Sequence, residues 1–306
     1  MIKQASWLFI LIFFCTISCY GQLPKDIQAT QDDYRSANIG VLKYVPAGSF
    51  QRDSDSTNIS TVSAFRMSQH LITRAQFVSI MGTDPSEPEY SSGTTDPVQT
   101  LSWYHAIAFC NKLSIAEGLT PAYTVSGVNF STLTYSQIPT TANSAWNDAR
   151  CDWSANGYRL PTEMEWMWAA MGASRDSRRG AMNGGVNVSG YSKKFAGEGM
   201  GGNKIDYAWF DDNAGGKTRP VGTKKPNELG LYDMSGNVWE WCWDWWGFYP
   251  SGSLNNYRGT DASTLHPRVV HGGSFGDLAS ALAVASRTYG IPQNLYDGYG
   301  FRVVRP

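Results

Sequence analysis

GLYDMSGNVWEW at residues 230–241, RVVHGGS at 268–274 and GFRVVRP at 300–306 decide the fold of this chain, and together they are called the C-terminal frame. The segment between Phe275 and Tyr299 has a different composition: it contains no Cys, His, Glu or Lys. Phe275, Tyr289, Tyr296 and Tyr299 stand there among Gly, Ala, Ser and Leu residues. Tyr and Phe supply large, rigid contact area while Ser and Gly adapt, so this composition favours a contact surface over a reactive site.

Earlier motifs extend the pattern towards the N-terminus. VPAGSF at 45–50, DPVQTLSW at 96–103, AIAFCNKLS at 106–114 and GYRLPTEMEW at 157–166 precede the C-terminal frame. In this order, the motifs resemble the formylglycine-generating enzyme (sulfatase-modifying factor) family over residues 41–306. The resemblance implies an α+β protein with a C-type-lectin-like fold of the sulfatase-modifying-factor variety. Such a fold has two helices, small twisted antiparallel sheets and much irregular loop.

The family's enzymes carry two active-site cysteines shortly after the Gly-Gly-Ser of the C-terminal frame. Here that stretch runs from Phe275 to Leu282 and contains no cysteine. The family chemistry needs a thiolate as nucleophile and metal ligand, so we expect no enzymatic activity and no catalytic cofactor. The alternatives are an exported oxidase or modifying enzyme of this type with a displaced site, or a structural envelope lipoprotein without a specific ligand.

Other catalytic chemistries find little support in the sequence. The four histidines, His70, His105, His266 and His271, lack the spacing of a metal site. Residues 272–276 have the Gly-x-Ser-x-Gly spacing, but Ser274 belongs to the C-terminal frame, where the resemblance implies a structural serine, and no phosphate-binding Gly-rich loop occurs. Asn237 and Glu240 match a family calcium-binding position, and their oxygens suit a structural Ca²⁺. The alternative is that Asn237 fixes the turn at Gly236 while Glu240 pairs with a buried Arg.

The N-terminus reads as a targeting segment. Residues 1–18 predict a signal peptide, because Lys3 precedes an apolar run from Trp7 to Ile17 that is too short to span a bilayer. TISC at 16–19 resembles a bacterial lipoprotein cleavage box and predicts lipidation at Cys19. That places the chain in the cell envelope, attached to the outer membrane surface by a lipid anchor. The alternative is cleavage after Gly21, which gives a soluble secreted protein.

The remainder predicts one domain at 41–306, after a polar tether at 19–40. The net charge of -1 implies no nucleic-acid partner, and we expect a monomer. Cys110, Cys151 and Cys242 are expected to be buried residues, although export permits a disulfide.

Local patterns predict the main elements. Ser102 is the expected N-cap of a helix from Trp103 to about Glu117, and Thr162 with Glu165 forms a capping box for a helix ending near Gly172. Short strands are expected at 41–45, 63–68, 269–271 and 301–304. Residues 175–205 are expected to form a long surface loop.

The divergent positions between residues 275 and 299 share a coding property. Apart from Gln293, they carry residues that codons of the form NNC can encode, whereas Lys, Glu, Met and Trp cannot be so encoded. This pattern resembles the variable proteins of diversity-generating retroelements, among them a spirochaetal lipoprotein, whose variable segment is C-terminal on a C-type-lectin-like fold.

The resemblance implies a surface-displayed ligand-binding protein with a variable segment at about 245–300. Its ligand is a protein, a peptide or a glycan. The predicted ligand-binding residues are Trp246, Phe248, Tyr249, His271, Phe275, Asp277, Leu278, Thr288, Tyr289, Ile291, Leu295, Tyr296, Asp297 and Tyr299. We expect those from Phe275 onward to form one exposed patch. His271 is expected to line the surface cleft, and the alternative is a partly exposed strand residue. The alternative for Trp246, Phe248 and Tyr249 is packing at the edge of the core.

Overall fold

In the computed structural model, side-chain caps mark the first turns of the longer helices. The helices are α1 Arg74–Met81, α2 Trp103–Ala116, α3 Ser144–Asn147, α4 Glu163–Ala170, α5 Lys204–Tyr207 and α6 Asp211–Ala214. Ser102 caps α2, and Thr162 forms with Glu165 the predicted capping box of α4. Besides the two predicted helices, α2 and α4, the described residues contain α1 with its own capping box from Thr73 and Gln76, and three single-turn helices.

The structure describes residues 33–260 and 267–306. The predicted signal peptide at 1–18, the lipidation site Cys19 and most of the tether lie outside the described residues, as does His266. None of the helices in the described parts of the chain has the length and apolar character needed to cross a membrane.

Most strands are short and lie in three small sheets. The strands are β1 Tyr34–Ser36, β2 Gly40–Val45, β3 Gly48–Gln51, β4 Ile59–Val62, β5 Phe65–Ser68, β6 Tyr123–Thr124, β7 Arg150–Cys151, β8 Met182–Asn183, β9 Val186–Asn187, β10 Trp239–Trp245, β11 Leu254–Asn255, β12 Arg268–His271, β13 Arg287–Gly290, β14 Tyr299–Gly300 and β15 Val304–Arg305. The sheet orders are β1-β2-β5-β15, β13-β12-β10-β14 and β11-β4-β3-β9-β8, and β6 pairs with β7 alone. This mixture of helices and small sheets confirms the α+β class.

Three segments differ from what the sequence predicts. The predicted tether ends earlier, because β1 pairs with β2 and therefore belongs to the domain. The predicted strand at 301–304 is wrong: β14 and β15 lie on either side of residues 301–303. Residues 175–205 are not only surface loop, since β9 pairs with β3 and the segment buries Asn187 and Lys193.

The sheet that contains β12 separates two hydrophobic clusters. Val270 belongs to the cluster with α2 and Trp241, whereas Val269 belongs to the cluster with α4 and Trp166. Successive residues of a strand point to opposite faces, which explains the division. The sheet is therefore covered on both faces by apolar side chains.

A buried arginine closes the C-terminal frame. The Arg302 guanidinium donates to Glu240 Oε2 at 2.6 Å, to the Ser68 carbonyl at 3.1 Å and to the Tyr232 carbonyl at 2.8 Å. These bonds tie the last residues of the chain to β10 and β5. A buried charge of this kind must stay paired, because removing one partner is strongly destabilising.

The capping box of α2 contains a titratable group. The His105 side chain is buried, and its Nδ1 lies 2.6 Å from Ser102 Oγ. Burial lowers the pKa of His105 from 6.5 to about 4. The unfolded chain therefore takes up this proton at higher pH than the folded chain. Acidification through this interval should lower the free energy of unfolding by up to ~1.4 kcal/mol per pH unit.

His105→Gln should remove this contribution while keeping a residue type that favours the same capping position. We expect the free energy of unfolding, measured by urea titration from pH 6.5 to 4, to fall less steeply than in the native chain. Some slope should remain, because burial also lowers the pKa of His70 to about 4. An unchanged slope would contradict the role of His105.

Candidate ligand-binding surface

The edge strand β13 positions the first part of the surface. Its residues pair with β12, with Tyr289 opposite Val269 and Arg287 opposite His271. Side-chain alternation places Arg287 and Tyr289 on one face and Thr288 on the other. Tyr289 is 50% exposed at this edge, so its ring is available for contact.

Trp246 lies between the two side chains on that face. Its ring centroid is 5.2 Å from that of Tyr289, and the Arg287 guanidinium lies 4.0 Å from the Trp246 ring. The same guanidinium lies 4.3 Å from the Tyr249 ring. Guanidinium–aromatic contacts of this kind are attractive. Arg287 therefore holds the aromatic loop after β10 against β13.

The position of Arg287 depends on a buried carboxylate. Glu163 accepts hydrogen bonds from Arg287 Nε at 2.6 Å, from Arg287 Nη2 at 2.9 Å and from the Tyr249 hydroxyl at 2.8 Å. His271 Nε2 lies 2.8 Å from the same carboxylate. Burial alone would raise the pKa of Glu163, but His271 and Arg287 lower it below the ordinary value.

Two predicted contact residues, His271 and Tyr249, thus support the surface from the protein side through Glu163. His271 is completely buried, so the expectation of a partly exposed residue at a cleft is wrong. Its ring stacks on Trp166 at 4.7 Å. Tyr249 is half-buried, and its hydroxyl bonds to Glu163. Phe248, between the two aromatic residues of the loop, is 96% exposed.

Tyr296 and Tyr299 pack together over a buried tryptophan. Their ring centroids are 4.6 Å apart, and those of Tyr299 and Trp241 are 5.2 Å apart. The Tyr299 hydroxyl donates to the Tyr289 carbonyl at 3.4 Å, which connects this pair to β13. Burial first, then Tyr296 and Asp277, raise the pKa of Tyr299 to about 12.

Trp246, Tyr289, Tyr296 and Tyr299 together make up the aromatic edge. They form two ring pairs, Trp246–Tyr289 and Tyr296–Tyr299, which the hydrogen bond from the Tyr299 hydroxyl to the Tyr289 carbonyl connects. Leu295 and Asp297, which flank Tyr296 in the sequence, are exposed. Thr288 and Ile291 are only half-buried.

Phe275 and Asp277 do not join this surface as predicted. Phe275 is only 7% exposed, and its ring stacks on Tyr90 at 6.0 Å. Asp277 Oδ2 accepts from the Trp239 indole N–H at 2.8 Å and from the Ser274 backbone N–H at 2.9 Å. Both residues therefore support the frame. Leu278, next in the chain, is 67% exposed.

Asn237 and Glu240 are both engaged by protein groups. Asn237 Oδ1 accepts from the Arg219 backbone N–H at 3.0 Å, while Glu240 Oε2 accepts from Arg302. Asn237 also occupies the turn with a φ of 68°. Within residues 33–260 and 267–306, no group of three or more His, Cys, Asp or Glu residues is arranged to hold a metal ion. The pairing of Glu240 with Arg302 is the contact that the alternative expects, and a structural Ca²⁺ at Asn237 and Glu240 stays a prediction.

Sequence reasoning missed Arg287 and Glu163. One signal for Arg287 was present: it is the only basic residue between Phe275 and Tyr299, and it precedes Tyr289 by two positions. Glu163 gave a weaker signal, because an acidic residue in the first turn of a helix already has a local explanation. Their pairing joins distant parts of the chain and could not be inferred from either motif.

The small sheets, the core helices and the loop-built surface define a protein with a C-type-lectin-like fold. The family model of the sulfatase-modifying factor enzyme 1-like domain matches residues 30–306. The chain therefore belongs to this family.

Three relatives are informative. The solved structure of variable protein 1 from Treponema denticola is 34% identical, with 90% of this chain and 98% of that chain covered and a TM-score of 0.77. The chaperone protein LppX of Paenibacillus barcinonensis is 36% identical over 236 residues, which are 71% of this chain and 75% of LppX. A formylglycine-generating enzyme from Thermomonospora curvata is 34% identical over 167 residues, 52% of either protein. The match therefore spans about half of that enzyme.

The different environments of Phe275 and Tyr289 give a direct stability test. Phe275→Ala should lower the free energy of unfolding by about 3 kcal/mol, because it removes a buried aromatic side chain. Tyr289→Ala, a matched change at an exposed ring, should cost only about 0.5–1 kcal/mol through lost cross-strand packing. Urea denaturation of both variants measures the difference. Equal losses would show that the two rings have the same environment.

Proposed function

We propose that this chain is a non-catalytic binding protein, displayed at the cell surface, that holds its ligand on the aromatic edge. The proposal rests on one observation: the Tyr289 side chain is half exposed, while the aromatic side chains beside it are packed against buried or ion-paired residues. Trp246 is held by Arg287, and Tyr299 is packed on Trp241.

This arrangement suits binding for two physical reasons. Tyr and Trp are enriched among the residues that dominate interface energies. Side chains already held in place lose little conformational freedom on binding, so more of the contact energy remains as affinity. The Glu163–Arg287 ion pair supplies that fixation for Trp246 without occupying the exposed face of Tyr289.

The similarity to a protein described as a variable protein supports a diversified C-terminal segment. So does the NNC-compatible residue set of the segment. Exposed positions such as Leu278, Leu295 and Asp297 can change with little effect on packing. Buried positions of the frame cannot change so freely.

The remaining cysteines support a role without catalysis. Cys110 and Cys242 are buried, Cys151 is half-buried, and all three are free thiols. Burial raises the pKa of Cys151 to about 12 and the pKa values of the other two well above the ordinary range. A thiol that stays protonated is a poor nucleophile and metal ligand. None of these three thiols is therefore proposed as a nucleophile or as a ligand of a catalytic cofactor.

Exchanging exposed side chains tests the proposed surface. Tyr289→Ser combined with Leu295→Ser should leave the melting temperature within a few degrees of the native value, because both residues are at least 44% exposed. Binding of peptides selected on the native chain from a phage-displayed random library should fall about tenfold or more, as expected for loss of an aromatic anchor. Fluorescence anisotropy measures the affinity.

Trp168→Ala is the control in the core. Trp168 is fully buried, and its indole N–H donates to the Pro46 carbonyl at 2.8 Å, so this change should cost about 3–5 kcal/mol of stability. Native affinity in the Tyr289/Leu295 variant would contradict the binding surface. Aldehyde formation on a Cys-x-Pro-x-Arg peptide with oxygen and copper, above a heat-inactivated control, would instead favour the oxidase alternative.

The proposal includes a lipid anchor at Cys19 and a monomeric protein on the outer membrane surface. Cys19→Ala should leave an unprocessed precursor and abolish labelling by a radioactive fatty acid, because the thiol that carries the lipid is gone. Immunoblotting and autoradiography of whole cells measure both effects. A mature N-terminus at Gln22 in the native chain would contradict lipidation.

A further inference from the structure

A groove of about 710 Å³ lies beside the C-terminal segment. One side is formed by Ala279 and Ala283, which follow the exposed Leu278 in the chain, and the other by the stretch that contains Lys194 and Ile205. The volume lies within the range of specific ligand sites. None of these four lining residues belongs to the aromatic edge.

The floor of the groove is apolar and fixed. Phe195 is buried there, and its ring packs on Tyr207 at 5.4 Å within a cluster that also contains Leu282. The short side chains of Ala279 and Ala283 leave the groove open, and Ile205 is 47% exposed at its wall. An apolar side chain entering this space would be removed from water, which is favourable.

The rim of the groove carries lysines without strong partners. Lys194 is exposed and forms no ion pair within the described residues. Lys204 Nζ lies 5.0 Å from the Phe210 ring centroid and 3.6 Å from Asp212, and both members of this ion pair are exposed, so the pair contributes little. The one lining carboxylate, Glu198, accepts the Lys194 backbone N–H at 2.8 Å and keeps its negative charge. Two lysines against one carboxylate leave the lining residues with a small positive net charge.

We propose that this groove binds an extended acidic peptide segment of a protein partner, with an aliphatic or aromatic side chain on the floor and carboxylates near Lys194 and Lys204. The inference rests on the proposed binding function. It adds the groove to the proposed ligand-binding surface, with the exposed Leu278 next to the groove residue Ala279 in the chain. A protein segment fits better than a glycan, because sugars stack on open aromatic faces and Phe195 is only 8% exposed.

The charge pattern also sets the specificity. Complementary charges select among partners and speed association, so a basic segment should be disfavoured at the lysine rim. Acidic residues on either side of a Leu, Ile, Phe or Met are the expected sequence signature. Binding at the rim should weaken as salt concentration rises.

Phage-displayed random dodecapeptides selected on the full chain provide the probe. Each selected peptide is then measured by fluorescence anisotropy on the native chain and on four variants with confirmed melting temperatures, one of which is the Tyr289→Ser/Leu295→Ser variant. Lys194→Glu with Lys204→Glu reverses the rim charge, and Ile205→Ser removes the apolar wall. Lys217→Glu is the matched control, because it changes an exposed lysine outside the groove.

Peptides with the acidic–apolar signature should lose about tenfold or more in affinity on the first two variants and less than about twofold on the control. Enrichment of Lys or Arg, equal loss on Lys217→Glu, or no enriched peptide would overturn the groove proposal. Peptides that lose affinity only on the Tyr289→Ser/Leu295→Ser variant would overturn it and leave the proposed function standing. Peptides unaffected by any variant would overturn both.

Discussion

The contact surface depends on one buried carboxylate. Glu163, the first residue of α4, pairs with Arg287 of β13 and with His271 of β12. Its backbone N–H donates to Asp244 of β10 at 2.7 Å. A buried charge needs such partners, and removing one typically costs 3–5 kcal/mol. One residue thus connects α4 to strands β10, β12 and β13. Through Tyr249, it also fixes the loop that follows β10.

This constraint separates residues that must be kept from residues that can vary. Arg287 and Tyr289 are two positions apart on one strand face, yet the first is tied to the core and the second is half exposed. Phe275 and Leu278 show the same contrast within four residues. A surface of this kind can change its chemistry while the fold remains, because exposed and buried side chains alternate along the chain.

The parts of the structure encoded locally could be predicted from the sequence. The caps at Ser102 and Thr162 and the strand predicted at 41–45 follow from neighbouring residues, and the family motifs indicate the fold class. The wrong predictions concern side chains that are buried by residues far away in the sequence. His271 was expected at a cleft, but Glu163 and Trp166 enclose it. Phe275 was assigned to the exposed patch, but Tyr90 covers it. Composition alone cannot show such contacts.

The most direct test of the account is the DNA sequence for residues 245–306 in many descendants of one clone, together with the flanking DNA. The account predicts substitutions at Leu278, Tyr289, Leu295 and Asp297, and a nearby copy of the segment that differs mainly at adenines. Glu163 partners such as Arg287 should stay constant. Substitutions spread evenly over buried and exposed codons, with no such copy, would contradict a diversified binding surface.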